Sequence, residues 1–340
     1  MCRGCGHLYN RSFDESRLDY DASYENTLHY SPSFRAFAGE LADRLVADHG
    51  LQGSAVAELG SGPGHFLSML CERGATPCYG FDPSYDPERV GTPRLAAVEV
   101  STEQFPTDGS LEVALAYSQH VLEHLEAPAV ALEALRSSVA RRGGAVYTEV
   151  PNGRLMIERC ALWDLIYEHL SYFVPTSLDL VHRRAALVSS ASGASFGEQF
   201  LWCEAVAGPT SDHVDIEAVD EGVQLATRFG DAARRRIDEA RHELHELTVS
   251  GPVVLWGAGS KGMTYLNAID IDRQIAGVVD INRRKDGWGV PGTSHVIGGA
   301  DQLTAIDPAV VLLANPAYLR EVEDQVRALG CSATVIALWE

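Results

Sequence analysis

Short apolar runs alternate with helical spacing along the first half of the chain. The runs predict strands at residues 55–59, 78–81, 95–100, 113–117 and 145–150. Between them apolar residues recur every three or four positions, as they do from Phe34 to Leu45, which predicts helices. Strands that alternate with helices build parallel sheets covered on both faces. This half therefore predicts an α/β fold with a doubly wound, Rossmann-like sheet.

The second half begins with a less regular stretch and ends in another alternating pattern. The predicted elements of the stretch are a helix or loop at 164–172, a helix at 176–190, a strand at 198–207 and a long amphipathic helix at 213–248. The strands predicted after it are 253–256, 277–279, 310–314 and 335–338. They indicate a second, smaller Rossmann-like α/β domain.

These patterns divide the chain into four parts. A polar and aromatic N-terminal cover segment occupies residues 1–34, and the first α/β domain occupies residues 35–205. A connecting helix at 206–250 leads to the second α/β domain at 251–340. Two domains agree with the length of 340 residues, since domains contain about 150 residues each.

Composition excludes several classes of partner. The net charge of −20 repels nucleic acids and anionic membranes, so we expect neither as a partner. There is no signal-peptide pattern and no apolar run near the ~20 residues of a membrane span, which favours a cytoplasmic protein. We expect a monomer or homodimer with a small-molecule substrate. The seven scattered cysteines do not indicate a disulfide framework.

A glycine-rich turn follows the first predicted strand. Glu58 lies at the end of the apolar run, Gly60, Gly62 and Gly64 occupy every second position after it, and Asp82 follows the next strand. Glycines let a ligand lie against the backbone at a helix N-terminus, and an acid at the next strand tip can bind a ribose diol. This layout predicts a dinucleotide or S-adenosylmethionine (SAM) as the ligand.

The order of the acid and the glycines favours SAM. An acid before the glycines suits the cationic amino-acid end of SAM, so we assign Glu58 to that group and Asp82 to the ribose. Gln104 and Phe105 lie just beyond the strand that follows and are expected to flank the adenine. Tyr30 completes the predicted cofactor-binding set.

A second glycine turn, Gly257–Gly262, fits the dinucleotide pattern on paper. Lys261 stands where a phosphate could lie, and Asp280 follows the next strand. This unit is short, however, and the basic segment 283–287 is not a typical adenosine pocket. We interpret it as an accessory domain that lends surface to the substrate pocket, with NAD binding as the alternative.

Histidine and glutamate occur together after two neighbouring strands. The residues concerned are Gln119, His120, Glu123 and His124 after the first strand, and Tyr167, Glu168, His169 and Tyr172 after the second. Ligands of open α/β sheets bind at the carboxyl ends of the strands, and these residue types act as acids and bases near neutral pH. We therefore predict catalytic roles for His169 first and His120 second.

Several segments form a pattern that covers nearly the whole chain. They are Cys2–Gly6, Glu58–Gly64, His120–His124, Val150–Asn152, Glu168–Phe173, Leu255–Gly259, Asp280 and Pro291–Thr293. Together they resemble the nucleotide-sugar C-methyltransferases. The resemblance implies an N-terminal zinc module, a central class I SAM-dependent methyltransferase domain and a nucleotide-fold C-terminal domain that helps to hold the substrate.

Two positions depart from that family. Its members usually begin with two C-x-x-C pairs and this chain starts at the second, so Cys2 and Cys5 are the expected ligands and zinc is a doubtful cofactor. The residue before His120 is commonly arginine in the family and is Gln119 here. This difference weakens the expectation of the usual nucleotide-sugar substrate.

The resemblance implies methylation of a carbon next to a ketone, with a nucleotide-linked deoxysugar as the expected acceptor. His169 or His120, oriented by Glu168, would remove the proton, and Tyr167 or Tyr172 would hydrogen-bond the enolate oxygen. Three alternatives remain open. They are O- or N-methylation of a small polar metabolite, an NAD-dependent oxidoreductase that uses the second turn, and a ligand-binding protein without catalysis.

Overall fold

The structure is a computed structural model that describes residues 1–14, 16, 27–90, 95–270 and 273–338. The strands are β1 (Leu8–Tyr9), β2 (Val56–Leu59), β3 (Cys78–Phe81), β4 (Val98–Ser101), β5 (Leu115–Gln119), β6 (Ala145–Pro151), β7 (Ser171–Tyr172), β8 (Leu187–Ser195), β9 (Phe200–Ala207), β10 (Val253–Trp256), β11 (Gly277–Val279), β12 (Ile297–Gly298), β13 (Val310–Leu313) and β14 (Thr334–Ala337). The α-helices are α1 (Pro32–Asp48), α2 (His65–Glu72), α3 (Pro87–Val90), α4 (Pro128–Val139), α5 (Gly153–Glu158), α6 (Pro175–Arg184), α7 (Ile216–Val249), α8 (Ser260–Ala268), α9 (Leu303–Ile306) and α10 (Leu319–Ala328).

Contacts within the chain group it into two units. The first consists of Met1–Tyr24, Ala36–Leu155 and Tyr167–Gln224. The second consists of Glu25–Arg35, Met156–Ile166 and Leu225–Glu340. Each unit has its own large sheet and its own hydrophobic core.

A seven-stranded sheet organises the first unit, in the order β4-β3-β2-β5-β6-β9-β8. The strands from β4 to β6 are parallel, whereas β9 and β8 are each antiparallel to their neighbour. The strand order reverses between β2 and β5. The segments after the carboxyl ends of these two strands therefore meet at the crevice where open α/β sheets bind ligands.

The central strands of this sheet lie in the core. Val56, Ala57, Leu115, Ala116 and Val146 are all completely buried. A parallel sheet is covered on both faces, so its strands read as continuous apolar runs rather than as alternating patterns. For that reason the predictions of β2, β3 and β6 are confirmed, with bounds that differ by at most one residue.

One helix prediction was wrong. The sequence favours a helix over 176–190, but α6 ends at Arg184 and β8 begins at Leu187. β8 is an edge strand in which small and polar residues are exposed or partly exposed, so it lacks the apolar alternation by which strands are recognised. The sheet is therefore mixed. Residues 164–172 follow the loop alternative, with a 3-10 turn at Leu162–Asp164 and the short strand β7.

The second unit contains a parallel five-stranded sheet in the order β12-β11-β10-β13-β14. β10 and β11 have the predicted bounds, and β13 and β14 lie within one residue of theirs. Val253, Val254 and Leu255 are completely buried, in clusters with residues of the neighbouring strands. The predicted second Rossmann-like domain is thus confirmed.

The four-part division of the chain stays a prediction. The structure groups Met156–Ile166 with the second unit, and the predicted connecting helix is observed as α7. Tyr20 and Tyr24 of the proposed cover segment lie outside the described residues. In the described part of the chain, no helix combines the length and the apolar character that crossing a membrane requires.

Candidate active site

The first glycine turn leaves its backbone open to a ligand. Gly60, Gly62 and Gly64 have φ values of 74°, 49° and 76°, in the region that favours glycine. A Cβ at Gly60 would overlap the side chain of Val121. At Gly62, by contrast, no heavy atom of the described chain outside Gly62 and its two neighbours in sequence lies within 4 Å of the position that a Cβ would take. The turn therefore has room for a ligand directly against its middle glycine.

Asp82 lies beside this turn, just after β3. Its Oδ2 accepts a hydrogen bond from the N–H of Gly62 at 2.6 Å. Its Oδ1 accepts from the N–H and the hydroxyl of Ser84, at 2.8 and 2.6 Å. The side chain is only partly buried. Asp82 is thus fixed at the crevice with solvent access, as the predicted contact with a ribose requires.

Glu58 is buried at the end of β2. It receives a hydrogen bond from the hydroxyl of Tyr117 at 3.0 Å. Burial raises the pKa of the Glu58 carboxyl well above its usual value, and the charge of Asp82 raises it further, while the Tyr117 hydrogen bond opposes the shift. A cationic ligand group would offset the cost of ionising this carboxyl. Nearby, the Oγ of Ser61 is buried without a partner among the described residues.

The other predicted cofactor residues differ in their surroundings. Gln104 is exposed in the loop after β4. Phe105 is buried, and its ring packs on Phe81 with a centroid distance of 5.1 Å, so part of its role is in the core. Tyr30 ends a 3-10 turn that belongs to the second unit. Contacts of these residues with a cofactor stay predictions.

A second group of polar side chains follows β5 and is anchored by Glu149 of β6. Glu149 is completely buried and accepts hydrogen bonds from the hydroxyls of Tyr147 and Ser195, both at 3.1 Å. The amide of Gln119 donates to the same carboxylate at 3.2 Å. The N–H of His120 donates to the Glu149 carbonyl at 2.8 Å. This buried carboxylate therefore organises the segment where β5 ends.

His120 stands between two buried carboxylates. Its Nε2 lies 3.4 Å from Oε1 of Glu149, and its Nδ1 lies 4.0 Å from Oε1 of Glu123. The ring contacts Phe200 edge-on, with centroids 4.4 Å apart. Its backbone has a φ of 56°, which is uncommon outside glycine and concentrates at functional sites.

His124 and His169 extend this group. His124 Nε2 lies 4.0 Å from Oε1 of Glu123, and His124 Nδ1 contacts the carbonyl of Glu168 at 3.1 Å. The rings of His124 and His169 are perpendicular, with centroids 4.8 Å apart. We call Glu149, His120, Glu123, His124 and His169 the histidine–glutamate cluster. Burial raises the pKa of Glu123, although the charges of His124 and His120 act in the opposite direction.

The predicted tyrosines have different positions. Tyr172 in β7 is buried, and its ring lies 5.8 Å from that of His169. The hydroxyl of Tyr167 instead donates to the carbonyl of Ser12 and accepts from the N–H of Asp14, each at 3.1 Å. Tyr167 therefore contacts the N-terminal segment, and Tyr172 is the better placed of the two for catalysis.

Glu168 was predicted to orient His169 through its carboxylate. The contact that the structure shows for Glu168 in the cluster is made by its backbone carbonyl, and it is made to His124. Its side chain is partly exposed. The predicted catalytic role of the carboxylate stays untested.

The N-terminal strand fixes the segment that carries His169. β1 pairs antiparallel with β7, and the N–H of Asn10 donates to the carbonyl of Leu170 at 2.9 Å. The imidazole of His7 lies 3.1 Å from the hydroxyl of Ser171. Part of the N-terminal region thus supports the cluster from outside.

Cys2 and Cys5 lie in a tight turn before β1. The backbone N–H of Gly4 lowers the pKa of the Cys2 thiol, helped by hydrogen bonding to Cys5, whereas burial raises the pKa of Cys5. In the described part of the chain, no third histidine, cysteine or carboxylate joins them in a group that could hold a metal. Among the described residues, Cys2 and Cys5 therefore supply two of the four ligands that a structural zinc site requires.

Another set of residue types suits a metal. Glu123, His124 and His169 offer ligand atoms that all lie within 4.8 Å of one another. Zinc bonds of about 2.0–2.2 Å place neighbouring ligands roughly 3.3 Å apart. His124 Nε2 lies 4.0 Å from Oε1 of Glu123, which is wider than that spacing, so we assign no metal here.

Sequence reasoning missed Glu149 and Tyr147, and it grouped Glu123 with the acid–base candidates without a catalytic role of its own. One signal was available, because Glu149 is an acid inside the apolar run of β6, as Glu58 is in β2. An ionisable residue within a buried strand requires a partner or a function. The same reasoning that identified Glu58 would have identified Glu149.

The second glycine turn has a different environment. Asp280 is buried and accepts hydrogen bonds from the N–H groups of Ala258 and Asn282, both at 2.8 Å. Lys285 pairs with the same carboxylate at 3.2 Å. Lys261 pairs with Asp164 at 2.8 Å. Both charged residues that suggested a dinucleotide are thus engaged within the protein.

Two protein families match this chain. A methyltransferase-domain family matches residues 33–187, and a C-methyltransferase C-terminal-domain family matches residues 217–335. A comparison with curated proteins finds no match.

Solved structures resemble the chain in part. The 1,6-didemethyltoxoflavin N1-methyltransferase of Burkholderia thailandensis is 16% identical, covers 50% of this chain and 78% of its own, and has a TM-score of 0.39. The magnesium protoporphyrin IX methyltransferase of Synechocystis PCC 6803 is 15% identical, covers 55% of this chain and 87% of its own, and has a TM-score of 0.38. Sequence identities and TM-scores this low give no information about the activity of this chain.

The mixed sheet, the acid-and-glycine turn at its crevice and the first family match define a class I SAM-dependent methyltransferase. The second match makes the assignment more specific. The chain joins a methyltransferase domain to a C-methyltransferase C-terminal domain.

Proposed function

We propose that the protein methylates a carbon next to a ketone, on a nucleotide-linked deoxysugar. The observation that carries the proposal is the histidine–glutamate cluster, in which Glu123, Glu149 and His169 are buried, in a chain with a C-methyltransferase C-terminal domain. A carbon acceptor needs a base, because its proton must leave before the methyl group arrives. Oxygen and nitrogen acceptors have lone pairs and depend mainly on proximity.

The residues around the first turn fit SAM. The open backbone at Gly62, the fixed carboxylate of Asp82 and the buried Glu58 match the adenosyl, ribose and ammonium parts of that molecule. When bound, SAM supplies an electrophilic methyl group on a sulfonium. Glu58 and Asp82 position it, and Gln104, Phe105 and Tyr30 keep their predicted contacts.

His169 is the proposed base, with His120 as the second candidate. A ring nitrogen of His169 takes the proton from the acceptor carbon, and the C–H electron pair becomes the enolate. The enolate carbon then forms its bond to the methyl group while the S–CH3 pair returns to sulfur. A positioned base contributes about 10²–10⁴-fold in rate, and holding the two reactants in line contributes up to roughly 7–11 kcal/mol.

Tyr172 is the proposed donor to the enolate oxygen. It is buried beside His169, whereas the Tyr167 hydroxyl is engaged by Ser12 and Asp14. A donor aimed at developing negative charge acts most strongly where water is excluded. The C-terminal domain is proposed to contribute surface for the nucleotide, and the protein to act in the cytoplasm as a monomer or homodimer.

Methyl transfer from labelled SAM to a panel of nucleotide-linked keto-sugars tests the proposal. We expect a product with a new C–CH3 group, detected by NMR. His169→Ala should lower turnover at least about 100-fold while calorimetry shows unchanged SAM binding, and His242→Ala, at an exposed position of α7, is the matched control. Label on oxygen or nitrogen, or full activity of His169→Ala, would contradict base-assisted C-methylation.

A further inference from the structure

Glu123 stands between two imidazoles in a place that water does not reach. Its Oε1 lies 4.0 Å from Nδ1 of His120 and 4.0 Å from Nε2 of His124. Its Oε2 is buried and has no hydrogen-bond partner among the described residues. A buried oxygen left without a partner costs about 1–3 kcal/mol. A residue retained at such a cost indicates a function rather than a contribution to stability.

The tautomer of His124 follows from its other contact. A carbonyl oxygen only accepts, so the Nδ1 of His124, 3.1 Å from the Glu168 carbonyl, carries a hydrogen. In the neutral ring, Nε2 then presents a lone pair toward the carboxylate of Glu123. Two acceptors that face each other in a buried site repel unless a proton lies between them. A proton on Nε2 of His124 would remove this repulsion and place a positive charge 4.0 Å from Oε1 of Glu123.

His120 has a carboxylate at both ring nitrogens. Glu149 faces Nε2 and Glu123 faces Nδ1. The Glu149 carboxyl also accepts hydrogen bonds from Gln119, Tyr147 and Ser195. Neither contact is a hydrogen bond, but only the imidazolium form of His120 places a positive charge between the two carboxyl groups. The geometry thus favours a charged ring at this position.

We propose that Glu123 is a positioning residue that keeps the protons on His120 and His124 and so leaves His169 as the imidazole that accepts the proton of the methyl acceptor. This inference rests on the proposed function, because it concerns the same site. The titratable groups that face Glu123 are His120 after β5, His124 in its own turn and Glu149 of β6, with His169 perpendicular to His124. Burial raises the pKa of Glu123, whereas the charges of His124 and His120 lower it, so protons on these histidines favour the ionised carboxylate.

Side-chain ¹⁵N NMR of the histidines in the full chain, saturated with S-adenosylhomocysteine, tests the assignment without a methyl acceptor. In Glu123→Gln, the titration midpoints of His120 and His124 should fall by about one pH unit, a tenfold weaker proton affinity, because an opposite charge is removed. Glu126→Gln, an exposed glutamate three residues further on, is the matched control and should leave both midpoints unchanged.

Stability separates positioning from a merely structural role. Glu123→Gln removes a buried charge and keeps the shape, so its thermal midpoint should equal or exceed that of the wild type. Glu123→Asp keeps the charge and should restore the two histidine midpoints at least in part. A lower thermal midpoint together with unchanged histidine titrations would overturn the proposal.

Turnover on a nucleotide-linked keto-sugar gives the second readout. For Glu123→Gln we expect kcat to fall about tenfold with KM unchanged. The reason is that His120 and His124 lose protons, and their positive charge no longer stabilises the enolate. If the wild type methylates no ketone, the proposed function fails while the NMR titration still decides the role of Glu123. Unchanged midpoints for His120 and His124, within about 0.2 pH unit, refute the inference even if C-methylation is confirmed.

Discussion

The two glycine turns are alike in sequence and different in how their acids are used. Asp82 and Asp280 both follow a parallel strand and both accept a hydrogen bond from the turn beside them. Asp280 is buried and also pairs with Lys285, so its charge is balanced inside the protein. Asp82 is partly exposed, and its further donor is the neighbouring Ser84. The first acid has the solvent access that its predicted contact with a ribose requires, and the second stabilises its own turn.

The lysine of the second turn supports the same reading. Lys261 pairs with Asp164 at 2.8 Å. Burial raises the pKa of Asp164, and the charge of Lys261 opposes that shift. A lysine held by a buried carboxylate is not free to bind a phosphate. The comparison teaches that a glycine motif identifies a turn, whereas charge balance around it identifies a ligand site.

Replacing Asp280 should produce the largest effect, and it should be on stability. Asp280→Ala leaves the buried Lys285 without its partner, which typically costs about 3–5 kcal/mol. Denaturant unfolding of the full chain measures the loss, with Asp231→Ala on the exposed face of α7 as the control. If Asp280→Ala keeps its stability but its folded fraction binds SAM more weakly, Asp280 has the role that we assign to Asp82. The proposed difference between the two turns is then wrong.

Replacing Asp82 should affect binding rather than folding. Asp82→Ala removes charge-assisted hydrogen bonds to the ribose hydroxyls, so SAM affinity should fall about 100-fold, or roughly 3 kcal/mol. Isothermal titration calorimetry measures this, and Asp280→Asn serves as the parallel variant at the second turn. Unchanged affinity in Asp82→Ala would remove the basis for assigning the cofactor to the first turn.

Neutralising Glu58 should weaken binding and raise stability. In the folded protein the pKa of Glu58 is raised, so the folded state binds more protons than the unfolded state above the unfolded pKa. Stability is therefore lost as pH rises from the unfolded pKa toward the raised folded pKa. Glu58→Gln should remove that loss, making the ligand-free protein more stable at neutral pH, and should lower SAM affinity about tenfold. Thermal unfolding measured across pH tests this increase in stability. A thermal midpoint of Glu58→Gln below that of the wild type at neutral pH would contradict it.

The smallest effect tests whether the open turn serves a ligand. Gly62→Ala and Gly109→Ala both place a Cβ in open space at a positive φ, so each should cost about 1–2 kcal/mol of stability. Only Gly62→Ala should also weaken SAM binding, because its Cβ occupies the room left for the ligand. Equal affinities in the two variants would show that the space at Gly62 is not used.

The parts of the site that the sequence predicted are those set by local chain order. An acid before glycines and an acid at the next strand tip are brought together by one β-turn-α-β unit, so Glu58 and Asp82 could be placed without the fold. Glu149 reaches the cluster differently. The register that pairs Gln119 with Glu149 and the hairpin that supplies Ser195 depend on long-range strand pairing.

The sequence by itself determined the two α/β units, the glycine turns and the presence of histidines after β5 and before β7, because buried parallel strands and turns leave strong local patterns. The tertiary structure alone decided which charged side chains form ion pairs inside the protein. Lys261 pairs with Asp164, which is distant in the chain, and Asp280 pairs with Lys285 in a buried position. Glu123 lies beside two histidines, and its Oε2 has no hydrogen-bond partner among the described residues. The physical reason is that burial and charge pairing depend on what the folded chain brings into contact, and side-chain identity along the chain does not specify those contacts.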